Sequence, residues 1–180
     1  MRQAFQDEST NAVLLIDASN AFNCLNRAVA LHNIQITCPK IAAYLINTYR
    51  HPSNLFIAGG KKILSSEGTT QGDPMAMGWY SLSTTPLIES LVSKYHSNRD
   101  RDLDPGIRQV WLADDASAAG SISKLKQWYE SLVEDGKMYG YHVNRKKSWL
   151  IVKSTDLEEE AHSVSGNSVK ITRDNAIWVQ

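Results

Sequence analysis

The sequence predicts an α+β fold, an antiparallel sheet with helices packed on one face. Three observations carry this expectation. Short apolar runs that end in acids, AVLLID at 12–17 and VWLADD at 110–115, read as buried strands. Longer stretches with apolar residues at helical spacing separate them. Two further apolar runs flank Gly59-Gly60, the signal of an antiparallel hairpin rather than a parallel crossover.

The elements follow in order. After the first strand, PKIAAYLINTYR places Pro39 at a first helical position ahead of apolar residues at helical spacing, and so predicts a helix. SNLFIAGGKKILSSEG supplies the Gly-Gly hairpin. GDPMAMGWYSLSTTPLIESLVSKY predicts a long helix, with Asp73 as N-cap, Pro74 at the first helical position and a kink at Pro86. GIRQVWLADDASAAG predicts a second hairpin: a strand through Val110, Trp111 and Leu112, a tight turn at the aspartates, and a return strand. SISKLKQWYESLVEDGKMYG reads as an amphipathic helix capped by Ser121 or Ser123 and stopped at Gly140. Trp128 and Tyr129 are expected to pack that helix against the sheet. SWLIVK and SVKIT predict two last short strands, and no internal repeat or low-complexity linker interrupts the chain.

A chain of 180 residues suits one domain with a real core. At 42% hydrophobic and 21% charged it is neither disordered nor membrane-like in composition. No apolar run reaches membrane-spanning length, and the opening MRQAFQDEST lacks the apolar stretch of a signal peptide. An intracellular setting, cytoplasm or nucleus, with no membrane partner is the expectation. Cys24 and Cys38 imply no disulfide framework, and no Cys or His spacing suggests zinc. Lys plus Arg equals Asp plus Glu, which argues against a strongly basic nucleic-acid binder. The basic residues are nevertheless clustered, at Lys61-Lys62, Arg145-Lys146-Lys147 and Lys153, while Asp156 to Glu160 reads as a solvated acidic face.

Asp114 and Asp115 pose a problem, because a carboxylate taken out of water needs a partner. Turn chemistry is one answer, since Asp side chains bond nearby backbone N–H groups. Asp17 points to another, because it ends a second buried-looking strand in the same way. If the two strands are neighbours, three carboxylates converge and cannot all ionise without compensation. A pair of divalent cations supplies it. Magnesium favours carboxylate oxygens together with substrate phosphates. Two such ions roughly 3.5–4 Å apart activate an attacking hydroxyl and stabilise a leaving oxygen in phosphoryl transfer.

Four segments sharpen that reading: LLIDASNAFNCLNR, EGTTQGDP (67–74), WLADD (111–115) and YGYHVNRKKSWLIV. In this order and spacing they resemble the four catalytic blocks in the palm of a reverse transcriptase from a mobile retroelement, non-LTR-like. The first block is an aspartate followed by a short loop and an aromatic. The second has Gln-Gly-Asp-Pro at its core, and the third is usually aromatic-Ala-Asp-Asp. The fourth runs from glycine through asparagine to lysine before Ser or Thr. The resemblance covers about residues 10 to 153. It implies a polymerase palm over 1–153 with a partial fingers insertion at about 39–66. Residues 154–180 would form a C-terminal tail that begins a further hairpin and is truncated.

What the resemblance implies for function is an RNA-directed DNA polymerase domain of a retrotransposon. A primer 3′-hydroxyl attacks the α-phosphate of a deoxynucleoside triphosphate, aided by two Mg²⁺ ions, or Mn²⁺ in their place. The partners implied are an RNA or DNA template with its primer and dNTP. Asp17 and Asp114 would hold the metals, the carbonyl of Ala18 would complete one metal site, and Asp115 would ligate less directly. Backbone N–H groups of Ser19, Asn20 and Ala21 would face the triphosphate, and Phe22 would lie beneath the incoming sugar. Gln71 and Gly72 would line the nucleotide and template pocket, and Lys147 would approach the triphosphate and protonate the pyrophosphate.

Plainer roles compete at some positions. Phe22 also suits a core position, Lys147 also suits a non-specific phosphate contact, and Asn20, Asn23 and Asn26 read as loop or capping residues. Asp73 is better explained as an N-cap before Pro74 than as an acid in the chemistry. Leu112 stands where the family commonly has an aromatic, a change that leaves metal binding intact. Only about ten residues precede the first block, where the family has finger strands, and no thumb follows the last. A fragment is therefore expected, one that extends a primer poorly or not at all in isolation. The alternative to an active polymerase is a truncated, catalytically silent palm that folds and binds nucleic acid.

Overall fold

The computed structural model describes residues 1–70, 72–95, 106–165 and 170–173. In chain order the elements are α1 (Arg2–Gln6), β1 (Ala12–Ile16), α2 (Ala21–Cys24), α3 (Arg27–Thr37), α4 (Pro39–Tyr49), β2 (Ser53–Ile57) and β3 (Lys61–Ser65). They continue with α5 (Ala76–Tyr95), β4 (Arg108–Leu112), β5 (Asp115–Gly120), α6 (Ile122–Tyr139), β6 (Trp149–Val152), α7 (Glu158–Ser165) and β7 (Lys170–Arg173). The fold is α+β, as expected. The chain divides into two compact units: residues 1–18, 89–134 and 143–180 form the first, and 19–88 with 135–142 the second.

The first unit is built on a five-stranded sheet in the order β4-β5-β1-β6-β7. β1 lies at its centre, antiparallel to β5 (Ile16 opposite Ala116) and to β6 (Leu15 opposite Trp149). Four of its five residues are buried, so a strand covered on both faces shows a continuous apolar run instead of alternation. The expected hairpin of β4 and β5 is present, turning through Ala113 and Asp114 with Ala113 at φ +54. The sheet is mixed rather than wholly antiparallel, because β7 pairs parallel to β6. Between them the chain passes through α7, and a helical crossover returns a strand in its original direction. Residues 174–180, where the expected hairpin would continue, lie outside the described residues.

Residues alternate across a strand, so the register sorts the sheet into two faces. On one, Trp128 of α6 lies 6.2 Å from the Trp111 ring, and both indole N–H groups donate to Gln109 Oε1, at 3.2 and 2.9 Å. Ile122, Leu125, Trp128 and Leu132 of α6 are fully buried, as the amphipathic pattern requires. On the other face, Ala4 and Phe5 of α1 pack with Val13, Ala119 and Ile151. That short helix has no counterpart in the sequence reading.

The second unit contains α2, α3, α4 and the β2–β3 hairpin, with the first half of α5. α3 and α4 contact one another, and Ala30, Ile34, Ala42, Leu45 and Tyr49 are buried. Pro39 occupies the first turn of α4, as expected. The hairpin forms around Gly59 and Gly60, both at positive φ. Its Leu55, Phe56, Ile57, Ile63 and Leu64 are all exposed. α5 begins at Ala76, later than the sequence suggested, because Pro74 sits in a turn where Asp73 Oδ1 accepts from Met75 N–H at 2.8 Å. Asp73 thus caps an Asx turn that leads into the helix. Pro86 lies inside α5. Among the described residues no helix is long and apolar enough to cross a membrane.

Candidate active site

Asp17 follows directly on β1, and Asp115 opens β5. Continuing the register one step past the Ile16–Ala116 pair sets Asp17 opposite Asp115 on the same face of the sheet. The cross-strand partner of Asp17 is therefore Asp115, while Asp114 occupies the turn. Two like charges placed opposite each other in a sheet destabilise it. A cavity of about 330 Å³ opens there, lined by Leu15, Ile16, Asp17, Asp115, Ala116, Ser117, Lys147 and Trp149. It joins two aspartates and the lysine that the sequence singled out.

The carboxylates of the site repel one another. Partial burial pushes the Asp115 carboxyl above the ordinary Asp value, and the neighbouring Asp114 and Asp17 charges push it further. The Asp115 side chain is exposed at its rim, so the shift reflects desolvation of a carboxyl that water still reaches. Asp17 is half-buried, and its Oδ2 is buried without any hydrogen-bond partner. An orphaned carboxylate oxygen beside a second carboxylate fits a divalent cation. Among the described residues no three His, Cys, Asp or Glu groups close into a ligand cage. Asp17, Asp114 and Asp115 therefore do not form the converged set of three carboxylates that the sequence suggested, and a Mg²⁺ held here would take one or two of them and keep its other positions for water and substrate phosphates.

The backbone around Asp17 is held firmly. Its carbonyl accepts from Asn144 N–H at 2.8 Å, and its N–H donates to Ser148 Oγ at 3.3 Å. Ser148 is fully buried and donates in turn to the Asn144 carbonyl at 2.9 Å. Lys147 N–H also donates to that carbonyl, at 3.0 Å, so one tight turn sets both the lysine and the strand end. Ser148 is a residue whose position the sequence showed and whose role it did not. Its serine after lysine was the only signal. Ala18 is buried and bridges antiparallel to Val143.

The remaining expected nucleotide contacts, Ser19, Asn20, Ala21, Phe22 and Gly72, belong to the second unit. Gln71 lies outside the described residues. The Ser19 N–H is engaged with the His142 carbonyl at 2.6 Å. Asn20 adopts φ +50, a left-handed conformation that Asn tolerates, and its Oδ1 accepts from Asn23 Nδ2 at 2.6 Å. Asn26 caps α3 by accepting from Val29 N–H at 3.2 Å. Phe22 is half-buried, with its ring 4.7 Å from Tyr80. Its carbonyl accepts from Thr69 N–H at 2.7 Å, tying the first block to the second. Gly68, next in that link, has φ +72, and a Cβ there would meet the Asn23 backbone at 2.4 Å. Only glycine fits.

No family model and no curated protein matches the sequence. Solved structures do match. The chain superposes on apo telomerase from Candida tropicalis with a TM-score of 0.62 at 12% identity, covering 84% of this chain and 30% of that one. Telomerase from Candida albicans, in complex with the TWJ fragment of telomeric RNA, matches with a TM-score of 0.57 at 12% identity, over 86% and 30% of the two chains. The corresponding RNA complex from Candida tropicalis gives 0.59 at 15% identity, over 86% and 28%. Such identities establish a shared fold. The chain spans less than a third of the length of these telomerases.

Proposed function

We propose that this chain is the palm of an RNA-directed DNA polymerase of the retrotransposon type. The observation that carries the reading is that Asp17 and Asp115, at the ends of the neighbouring strands β1 and β5, line one cavity with Lys147. The fold shared with telomerase, a reverse-transcriptase-related enzyme, supports it, as does the order of the four sequence blocks. The RNA-bound state of two of those telomerases supports nucleic acid as the partner class.

In this reading Asp17 and Asp115 would hold divalent cations, Asp115 taking the part that the resemblance gives to Asp114, which stands beside them. The cations, when bound, supply the charge that activates the primer 3′-hydroxyl and stabilises the leaving pyrophosphate. Lys147 lies in the same cavity and neutralises or protonates that pyrophosphate. Phe22 lies beneath the sugar of the incoming dNTP, and Gly72 allows close backbone approach in the nucleotide pocket. The Asp17 backbone, pinned by Asn144 and Ser148, keeps its carboxylate in one place, as phosphoryl transfer requires of its positioning groups.

Single-nucleotide addition tests the proposal. With an RNA template, a DNA primer, one dNTP and Mg²⁺, the chain at high concentration should extend the primer slowly by one nucleotide. Asp17→Asn should add none. A variant as active as the parent overturns the reading. Template–primer binding without any addition by the parent chain favours the silent palm instead.

A further inference from the structure

Residues 65–75, of which Gln71 lies outside the described residues, carry the Gln-Gly-Asp-Pro motif in their sequence, and Glu67, Thr70 and Gly72 among them are exposed in turns. Exposed turns with few buried apolar contacts are ordinarily the parts of a fold that open first. This one is tied down by polar groups on α3 and α4. Arg27 is only 5% exposed, and its guanidinium meets three neutral oxygens. Nε donates to the Gly68 carbonyl at 2.7 Å, Nη1 to the Ser65 carbonyl at 2.6 Å and Nη2 to Ser65 Oγ at 2.9 Å. The Arg27 backbone N–H donates to Glu67 Oε2 at 2.9 Å.

Tyr49 forms the second tie. Its ring packs 4.2 Å from Trp79 and lies 5.2 Å beneath the Arg27 guanidinium. Its hydroxyl donates to Asp73 Oδ2 and accepts from Thr70 N–H at 3.2 Å. Burial, and then Asp73, push the Tyr49 phenol above its ordinary value, so it remains a donor well into the alkaline range. On its far side the turn is joined to the first block, with Gly68 N–H donating to the Leu25 carbonyl at 2.8 Å and Thr69 N–H to that of Phe22.

Burying a guanidinium is costly even with the Glu67 carboxylate nearby, and packing alone would be served as well by an apolar side chain. What the planar fork adds is geometry, because it fixes several acceptors at once where an ammonium cannot. We propose that Arg27 and Tyr49 are positioning residues. They hold the Ser65–Thr70 segment and Asp73 against the Phe22–Leu25 segment and so pre-form the nucleotide pocket contributed by the second unit. The inference rests on the nucleotide-binding roles of Phe22 and Gly72 proposed above. Its energetic logic is preorganisation: a loop already ordered does not spend binding energy on ordering itself.

Tyr49→Phe keeps the ring on Trp79 and under Arg27, and removes only the hydroxyl. In hydrogen exchange on the whole chain, the Gly68–Met75 amides should exchange roughly tenfold faster. Exchange in α3 and α4 should be unchanged. Mg·dATP affinity should fall about tenfold. Arg27→Lys should give the same pattern, since the ammonium does not replace the fork. Unchanged exchange in the turn, or a rise shared by the whole chain, overturns the proposal. So does faster exchange with unaltered nucleotide affinity, which makes both residues merely structural. A parent chain that binds no Mg·dATP contradicts the nucleotide-binding reading itself, and exchange alone then decides whether the two residues hold the turn.

Discussion

At the end of β1 the first unit leaves a buried oxygen of Asp17 without a hydrogen bond and sets a second carboxylate opposite it. In the second unit, Arg27 is surrounded by acceptor oxygens, and both oxygens of Asp73 are engaged. Both places concentrate polar groups around a sequence block that the chemistry of a polymerase would use. They differ in whether the demand is met from inside the chain. Where it is met, the polar groups act as scaffold, and removing one should cost stability. Where it is left unmet, the site awaits an external charge, and neutralising one of its groups should stabilise the chain while ending its function.

The largest effect is expected on the satisfied side. Arg27→Met leaves the Ser65 and Gly68 carbonyls without their donor, at a cost of about 2–4 kcal/mol from unpaired buried acceptors. Urea unfolding should show the midpoint falling with little change in slope. A variant as stable as the parent would erase the contrast between the two sites.

Asp115→Asn should move stability the other way. The folded-state value of Asp115 is raised, so its ionised form is penalised by folding. The penalty is present in full above that raised value and fades as pH falls through it. It is gone below the ordinary Asp value of about 3.9, where the unfolded chain is protonated too. The variant should therefore melt higher than the parent at pH 7, with the gain shrinking in acid. A gain that persists unchanged at pH 3 would show that repulsion is not its source.

Phe22→Val is expected to disturb the fold least. Losing the ring contact with Tyr80 costs about 1 kcal/mol. Its signature is selectivity, because a smaller side chain leaves room for a 2′-hydroxyl. The ratio of ATP to dATP affinity, measured with Mg²⁺, should rise. A folded variant with an unchanged ratio means that Phe22 is not the gate.

Much of this was legible in the residues. AVLLID became the central strand β1, buried on both faces, whereas VWLADD, which the sequence suggested was a buried neighbour of β1, became the edge strand β4 with Val110 and Leu112 exposed and β5 between it and β1. Gly59-Gly60 made its hairpin and Gly140 ended α6, each at a positive φ that glycine readily takes. α3 was not legible, because buried polar residues interrupt its apolar pattern. Arg27 reaches Ser65 and Gly68, and Asn33 Nδ2 donates to the Ser83 carbonyl at 2.9 Å. Those partners are distant in sequence, and no periodicity reveals them. α1 was missed because five residues carry too little pattern to register, and it is fixed by packing on Val13, Ala119 and Ile151. The start of α5 was misplaced because Asp73 spends its side chain on Met75 N–H and Tyr49 instead of on a helix beginning at Pro74. At the candidate site, the acids and Lys147 were readable as residue types. That Asp115 stands opposite Asp17, and that Ser148 pins the Asp17 backbone, required the register and the turn.

The central claim is that the edge formed by Asp17 and Asp115 is a cation site whose demand the chain leaves open. Thermal unfolding of the parent chain and of Asp17→Asn, each titrated with MgCl₂ at constant ionic strength, tests it most directly. The account predicts that the parent's melting temperature rises with Mg²⁺ and saturates. The variant should melt higher than the parent without metal and show no Mg²⁺-dependent rise. A parent indifferent to Mg²⁺, together with a variant that melts lower, would contradict the claim and make Asp17 a structural acid.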